Sequence, residues 1–228
     1  MAKTILIVGY GTGISNAVAE KFGAEGFSVA IAARNAARLA EGVKKLKAKS
    51  VRAAAFPADA SDPSAMAALI GEVRAQLGDL TVVHWNAYGG APGDLLTADA
   101  KGLATSFDVA VTGLTLAVQA ALPDLRKAEN AAVLVTNGGF GYVDPGVDAF
   151  CVQAQSMGLG LANAAKHKLV GLLSARLKPE GVYVGEVMVT GMVKGTAWDQ
   201  GDATIDPSDV AAKFWALYQA RDEIRAKV

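Results

Sequence analysis

The stretch at residues 4–15, TILIVGYGTGIS, decides the fold of this chain. Its consecutive apolar residues ILIV predict a strand covered on both faces, as in the centre of a parallel sheet. Gly9 permits a tight turn, while Gly11 and Gly13 remove side chains where backbone approaches a ligand or a helix packs on the strand. A helix beginning at Ile14 would point its free N–H groups at this turn. The stretch predicts a phosphate-binding turn; the alternative is an ordinary strand-to-helix turn without a ligand.

Apolar strand-like runs alternate with helical patterns along the rest of the chain, which is typical of repeated βαβ units. Strands are expected at residues 4–8, 28–32, 51–56, 80–85, 132–136 and 182–189. Helices are expected at residues 13–24, 36–48, 63–77, 100–127, 156–177 and 207–226. Right-handed crossovers then give an α/β fold, a doubly wound parallel sheet of about six strands with helices on both faces. Its ligand crevice would lie at the carboxyl ends of the strands.

The composition indicates one α/β domain spanning residues 1–228 and argues against several kinds of partner. The 22 Lys and Arg residues balance the 22 Asp and Glu residues, so no global field favours nucleic acid or an anionic membrane. The lone cysteine, Cys151, has no partner for an internal disulfide, and two histidines without a cysteine cluster do not predict a zinc site. We expect a reducing cytoplasm, no metal, and no membrane span of about 20 strongly apolar residues.

The glycine spacing resembles that of one enzyme family. Position 14 is Ile, so the turn fits G-x-x-x-G-I-x at Gly9, Gly13 and Ile14 better than G-x-G-x-x-G. It resembles the turn of the short-chain dehydrogenase/reductase family, T-G-x-x-x-G-I-G, with Val8 in place of the Thr and Ser15 in place of the last Gly.

The resemblance covers about residues 4–196 and implies a single Rossmann-type NAD(P)-binding domain with a lid loop near residues 190–206. It also implies that the chain lacks the seventh strand that the family usually adds. The cofactor-binding residues that it implies in the first turn are Gly9, Gly11, Thr12, Gly13 and Ile14.

Residues after the second strand favour NADP over NAD. Ala33 and Arg34 stand where dinucleotide-binding folds read the adenosine ribose. An acid there selects NAD, whereas an Arg accommodates the 2′-phosphate of NADP. The alternative is that Arg34 is a solvated residue at the start of a helix.

Three other strand ends continue the resemblance. Asp59 looks like the aspartate that contacts the adenine, although it is equally readable as a loop acid. Asn86, in W-N-A-Y, is similar to the family's N-N-A-G and would shape the cofactor floor. Thr190 and Gly191 begin a loop similar to P-G-x-x-x-T, which passes the nicotinamide carboxamide.

The resemblance breaks at the catalytic positions. The family uses a Tyr as acid or base, a Lys four residues later, a Ser that orients the carbonyl and an Asn that supports a water chain. Lys166 matches the Lys and would bind the cofactor ribose, but Ala162, Gly138 and Ala110 stand at the other positions. Alanine and glycine side chains have no proton to transfer, so the usual mechanism cannot run on them.

Another proton donor is therefore expected if the chain is active. Tyr142, four residues beyond Gly138 at the end of the fifth strand, is the first candidate, and replacing it with Phe should then abolish activity. Tyr88 and His167 follow it. For each there is a purely structural interpretation, as loop aromatics lining a pocket or as an exposed helix residue.

Two functions fit this sequence. The first is an NADP(H)-binding oxidoreductase of unknown small-molecule substrate that uses a non-standard proton donor. The second is a catalytically inactive NADP(H)-binding sensor or structural subunit. The family's use of its fourth and fifth helices for pairing implies a homodimer or homotetramer.

Overall fold

All strands of the fold lie parallel in one sheet. A computed structural model describes residues 3–196 and 199–228, and in them the sheet has seven strands, ordered β3-β2-β1-β4-β5-β6-β7. The strands are β1 (Lys3–Val8), β2 (Phe27–Ala33), β3 (Ala53–Pro57), β4 (Val82–Trp85), β5 (Ala132–Gly138), β6 (Tyr183–Val189) and β7 (Arg225–Lys227). The strand order reverses between β1 and β4, so a crevice opens at their carboxyl ends.

Helices cover both faces of this sheet. They are α1 (Ile14–Ala24), α2 (Ala36–Ala48), α3 (Ala65–Leu77), α4 (Ala100–Phe107), α5 (Gly113–Leu125), α6 (Pro145–Gln153), α7 (Met157–Leu177) and α8 (Pro207–Ala220). Alternate residues of β1 point to opposite sides: Leu6 and Val8 join a core with α3, α5 and α7, whereas Ile5 and Ile7 join a core with α1, α2 and α8. The doubly wound sheet predicted from the sequence is confirmed.

The strand β7 corrects the sequence-based expectation of about six strands and a final helix reaching residue 226. The helix α8 ends at Ala220 because Arg221 adopts a left-handed conformation, with φ +55°. The Arg221 guanidinium donates to Asn130 Oδ1 and to the carbonyl oxygens of Ala131 and Gly181, which fixes the turn. The chain then pairs with β6. Three residues are too few to show a strand periodicity in the sequence.

The connection between β5 and α7, for which the sequence predicted no helix or strand, contains the helix α6. Asp144 caps it by accepting from the N–H groups of Gly146 and Val147, and Pro145 occupies its first turn, where no N–H is needed. These are ordinary helix-start signals. The helix was not predicted because its residues are mostly exposed and form no clear apolar face.

The helix expected at residues 100–127 is interrupted. A π-helical turn, Asp108–Thr112, separates α4 from α5, and Trp85 Nε1 donates to the Val109 carbonyl oxygen at 3.1 Å. The buried indole thus satisfies a carbonyl in this irregular turn. By length and composition the described segment Ala100–Leu125 could cross a membrane. In the fold, five residues of α5 lie in one hydrophobic core: Leu114, Ala117, Val118, Ala121 and Leu125.

The first turn depends on backbone contact between β1 and β4. Gly9 has φ +86°, and a Cβ added to it would lie 2.4 Å from the Ala87 nitrogen. A Cβ added to Gly11 would meet nothing within 4 Å. These two glycines therefore form a matched pair for testing the turn.

We expect Gly9→Ala to lower the free energy of unfolding by about 2–5 kcal/mol, because a left-handed alanine is strained and its methyl overlaps backbone. Gly11→Ala, the control, should change that free energy by no more than about 0.5 kcal/mol. Urea denaturation of the ligand-free proteins measures both values. Equal stabilities for the two variants would contradict this account of the turn.

Candidate functional site

The candidate site begins at the glycine turn, which the neighbouring strands hold closed. The N–H groups of Gly9 and Tyr10 donate to the Ala32 carbonyl oxygen at 2.9 and 3.0 Å. On the other side, Asn86 Nδ2 donates to the Gly9 carbonyl oxygen at 3.1 Å. The structure therefore brings Asn86 to the floor of the turn, beside the predicted cofactor-binding glycines.

The amino end of α1 faces the open side of this turn. The residue before the helix is Gly13, and in residues 3–196 and 199–228 no side chain caps the helix start. Ser15 Oγ is buried and accepts from the Gly11 N–H at 2.8 Å, which stiffens the turn from within. Ile14 packs on the core below. Uncapped N–H groups and the helix dipole make this end suitable for an anionic group.

The loop after β6 lies against the same turn. Thr12 Oγ1 donates to the Gly195 carbonyl oxygen at 3.1 Å, and a Cβ added to Gly13 would lie 2.6 Å from Thr196 Cγ2. At the base of the loop, Thr190 donates through both N and Oγ1 to the Val228 carbonyl oxygen. Gly191 is exposed. The loop therefore spans from β7 to the amino end of α1; residues 197 and 198 of the predicted lid lie outside the described residues.

Arg34 and Asp59 follow β2 and β3, on the side of the crevice that the sequence resemblance assigns to the adenosine. Arg34 is exposed after β2, and the next residue, Asn35, caps α2 by accepting from the Arg38 N–H. Asp59 Oδ1 accepts from both the N–H and the hydroxyl of Ser61, at 2.9 and 2.8 Å. Asp59 therefore shapes its own loop, as in an Asx turn, while Arg34 extends from a capped helix start.

Lys166 lies at the opposite end of the crevice, in a small cavity. Its side chain is only 4% exposed. The cavity is lined by α7, by the segment after β4 and by the α4–α5 region, through Ala87, Tyr88, Gly89, Ala91, Ser106, Val109, Ala110, Leu159, Ala162, Asn163 and Lys166. The space open to the centre of a water molecule is about 10 Å³, close to the minimum for one water.

Burial changes the acidity of Lys166. Loss of hydration lowers the pKa of its ammonium to about 8, and the negative charge of Glu186 opposes this shift. A lysine with a pKa near neutrality exchanges its proton far more readily than an ordinary surface lysine.

The other sequence-predicted proton donors separate into two groups. Tyr88 lines the Lys166 cavity and is half-exposed. Tyr142 instead packs edge-on against the His167 ring, with centroids 6.1 Å apart, and among the described residues it does not belong to the cavity lining. His167 in turn pairs with Glu186. A role for Tyr142 as proton donor stays a prediction.

A buried hydrogen-bond network behind α7 was missed by the sequence analysis. The Glu186 carboxylate is fully buried and accepts from Asn137 Nδ2 at 2.7 Å, His167 Nδ1 at 2.7 Å and Arg225 Nε at 3.2 Å. Asn137 Nδ2 also donates to the Asn163 carbonyl oxygen at 3.0 Å. The one available signal was a glutamate inside the apolar run of the sixth strand, since a buried carboxylate needs partners.

The residues at this site fit a nicotinamide dinucleotide. The glycine turn leaves backbone where a side chain would block the approach, the uncapped start of α1 suits a diphosphate, and Arg34 is exposed at the ribose end. Lys166 is buried in the cavity beside α7.

Comparison with known proteins agrees with the fold. The family model for short chain dehydrogenase matches residues 3–203. A diacetyl reductase, (S)-acetoin forming, from Staphylococcus epidermidis is 25% identical over 223 residues, which are 96% of this chain and 82% of that protein.

Solved structures show the same architecture. A short-chain dehydrogenase/reductase from Serratia marcescens superimposes with a TM-score of 0.86 at 19% identity, over 99% of this chain and 96% of its own. An NADPH-bound short chain oxidoreductase from Pseudomonas aeruginosa, described as containing an atypical catalytic center, gives a TM-score of 0.85 at 18% identity. That match covers 99% of this chain and 95% of the other.

The lowered pKa of Lys166 predicts a pH-dependent stability. The unfolded lysine titrates near 10.5 and the folded one near 8, so the unfolded chain binds more protons between these values. The free energy of unfolding should therefore rise with pH in this window, by about 1 kcal/mol per unit.

Urea denaturation between pH 7 and 9.5 measures this slope as the difference between wild type and Lys166→Met, which lacks the titrating group. Lys168→Met removes an exposed lysine of the same helix and should keep the wild-type slope. A Lys166→Met protein with an undiminished slope would show that this lysine titrates normally.

Proposed function

The chain belongs to the short-chain dehydrogenase family, and we propose that it is an NADP(H)-dependent oxidoreductase acting on a small carbonyl or alcohol with a non-standard proton donor. The observation that carries this proposal is the buried Lys166, whose pKa is lowered to about 8 inside a cavity at the carboxyl edge of the sheet. A lysine held there only for packing would lose hydration without a compensating role.

The cofactor would be held by residues that follow five of the strands and by Lys166 of α7. The N–H groups at the start of α1, with Gly11, Thr12 and Gly13, would bind the diphosphate, and Arg34 the 2′-phosphate. Asp59 would contact the adenine and Asn86 would keep the turn in shape. Lys166 would bind the nicotinamide ribose, and Thr190 and Gly191 would pass its carboxamide. The bound cofactor supplies or accepts a hydride.

A second candidate function is an inactive NADP(H)-binding sensor or subunit. It is favoured by the residues Gly138, Ala162 and Ala110, which stand where the family resemblance places its Ser, Tyr and Asn. Absence of these groups removes the family's usual proton path but leaves the cofactor site untouched. The two candidates therefore share binding and differ in turnover.

We expect the purified protein to bind NADPH and to oxidise it when a small carbonyl compound is supplied. Diacetyl is the first to try, because the Staphylococcus epidermidis relative carries that name; a panel of ketones, aldehydes and 3-oxo thioesters follows. Absorbance at the reduced nicotinamide band measures turnover and fluorescence titration measures binding. Saturable binding without turnover across the panel would favour the sensor, and absence of binding would contradict both functions.

Arg34 tests the cofactor preference. We expect Arg34→Ala to weaken NADPH binding by about 10- to 100-fold, since a charge-assisted bond to the 2′-phosphate contributes about 1.5–3 kcal/mol. NADH binding should change less than about 3-fold, because that cofactor lacks the phosphate.

The matched control is Arg52→Ala, an exposed arginine just before β3 and therefore at the amino edge of the sheet. It should leave both dissociation constants unchanged. Equal losses for NADPH and NADH in Arg34→Ala would refute the assignment of Arg34.

Assembly into a homodimer or homotetramer through α5 and α7 is also part of the proposal. Leu161 and Leu172 of α7 are 43% and 56% exposed, as apolar residues covered by a second copy would be in a single chain. We further propose the cytoplasm as its location, in keeping with its free cysteine, Cys151.

A further inference from the structure

The side-chain amide of Asn163 lies at the Lys166 cavity and makes no hydrogen bond to another described residue. Asn163 is 6% exposed and lines the Lys166 cavity. Within the described residues, Asn163 contributes only its carbonyl oxygen to the hydrogen bonds. A polar group left open toward a cavity is suited to a ligand.

The Asn163 amide occupies the space that a side chain at position 138 would take. A Cβ added to Gly138 would lie 2.8 Å from Asn163 Nδ2. The glycine at the end of β5 therefore makes room for this amide. Ala162, the preceding residue of α7, lines the same cavity and brings no polar group to it.

Neighbouring residues hold the backbone of Asn163 in place. Its carbonyl oxygen accepts from Asn137 Nδ2, and Asn137 is in turn held by the buried carboxylate of Glu186 at 2.7 Å. The turn after β5 also packs on it, since a Cβ added to Gly141 would lie 2.6 Å from the Asn163 carbonyl carbon. These contacts hold the backbone of Asn163, and so limit the region that its side-chain amide can reach.

Building on the proposed function, we propose that the Asn163 carboxamide binds the reacting oxygen of the substrate and that Lys166 is its proton donor. In the reductive direction Asn163 Nδ2 donates a hydrogen bond to the carbonyl oxygen. The carbonyl carbon accepts a hydride from the reduced nicotinamide dinucleotide, and the electron pair of the C=O π bond moves to the oxygen. Lys166 Nζ gives that oxygen a proton, and the products are an alcohol, the oxidised dinucleotide and a neutral lysine that water reprotonates.

The electrostatics of the cavity support this division of roles. An amide donates a hydrogen bond but does not release a proton at neutral pH, so Asn163 can orient the oxygen without protonating it. The lowered pKa of Lys166 makes its ammonium a stronger acid than a solvated one. The cavity has room for about one water-sized group, which is the size of a carbonyl oxygen.

Asn163→Leu keeps the side-chain volume and removes the donor. We expect it to lower kcat by at least about 100-fold, as the loss of a preorganised donor to a developing oxyanion does, while the NADPH dissociation constant stays within about 2-fold. Gln76→Leu, the same kind of change at an exposed position of α3, is the control. The double variant Gly138→Ser/Asn163→Ala places a hydroxyl in the vacated space and should recover at least about 10-fold over Asn163→Ala.

A binding measurement checks the contact without turnover. Diacetyl added to the protein saturated with NADP⁺ forms a pair that cannot react, because both lack the hydride. We expect the side-chain amide resonance of Asn163, identified by its loss in Asn163→Leu, to shift on this addition. If diacetyl is not turned over, the same measurement uses the carbonyl compound from the panel that is.

The pH profile identifies the proton donor. Reduction should decline as pH rises through about 8, where Lys166 loses its proton. In Lys166→Arg, whose guanidinium stays protonated, the remaining activity should lack this decline.

The outcomes separate the two proposals. If wild type neither binds NADPH nor turns over any carbonyl, the proposed function fails and this assignment fails with it. If wild type is active and Asn163→Leu equals it within about 2-fold, the assignment of Asn163 alone is overturned. Loss of activity in Tyr142→Phe together with full activity in Asn163→Leu would instead make Tyr142 the donor.

Discussion

The contact between the Gly9 backbone and the segment Asn86–Ala87 is the constraint on which this molecule depends. A Cβ on Gly9 would overlap the Ala87 nitrogen at 2.4 Å, so β1 and β4 approach as closely as their backbones allow. This approach sets the amino end of α1 at the point where the strand order reverses. Because Asn86 also bonds to Gly9, the floor of the crevice and the anion-binding turn form one unit.

A second constraint fixes the opposite wall of the crevice. Glu186 is fully buried, and its partners come from β5, α7 and β7. Removing one partner from a buried charge usually destabilises a protein by about 3–5 kcal/mol, because the charge is then incompletely paired. The short β7 therefore helps to hold α7, which carries both Asn163 and Lys166, at a fixed distance from the sheet.

Most of the fold could be predicted from patterns that reflect local chemistry. The continuous apolar runs of β1 to β6 and the glycine turn are dictated by burial and by backbone conformation, so they were readable one segment at a time. The strand β7 was not readable, since it is short, exposed and held by the contacts of Arg221 and Arg225 with distant residues. The helix α6 was missed because it buries almost no apolar residue.

The candidate site divides in the same way. The residues proposed to bind the cofactor could be predicted because they stand at strand ends, which a parallel sheet collects at one edge. Lys166 could be predicted from its place in the sequence. Asn163 could not be identified from the sequence. What distinguishes it is its closeness to Gly138, which lies 25 residues away along the chain. Tyr142 was favoured by its sequence distance from the fifth strand, and sequence distance carried no information about its packing on His167.

The close approach of Gly138 and the Asn163 amide bears on whether the site is active. A side-chain carbon at position 138 would lie 2.8 Å from the present Asn163 amide nitrogen, so the residues at these two positions are sterically coupled. An inert site would gain nothing by burying Lys166, because its ammonium loses hydration there. A buried lysine beside an amide without a partner among the described residues is the pattern of a site arranged for a polar ligand.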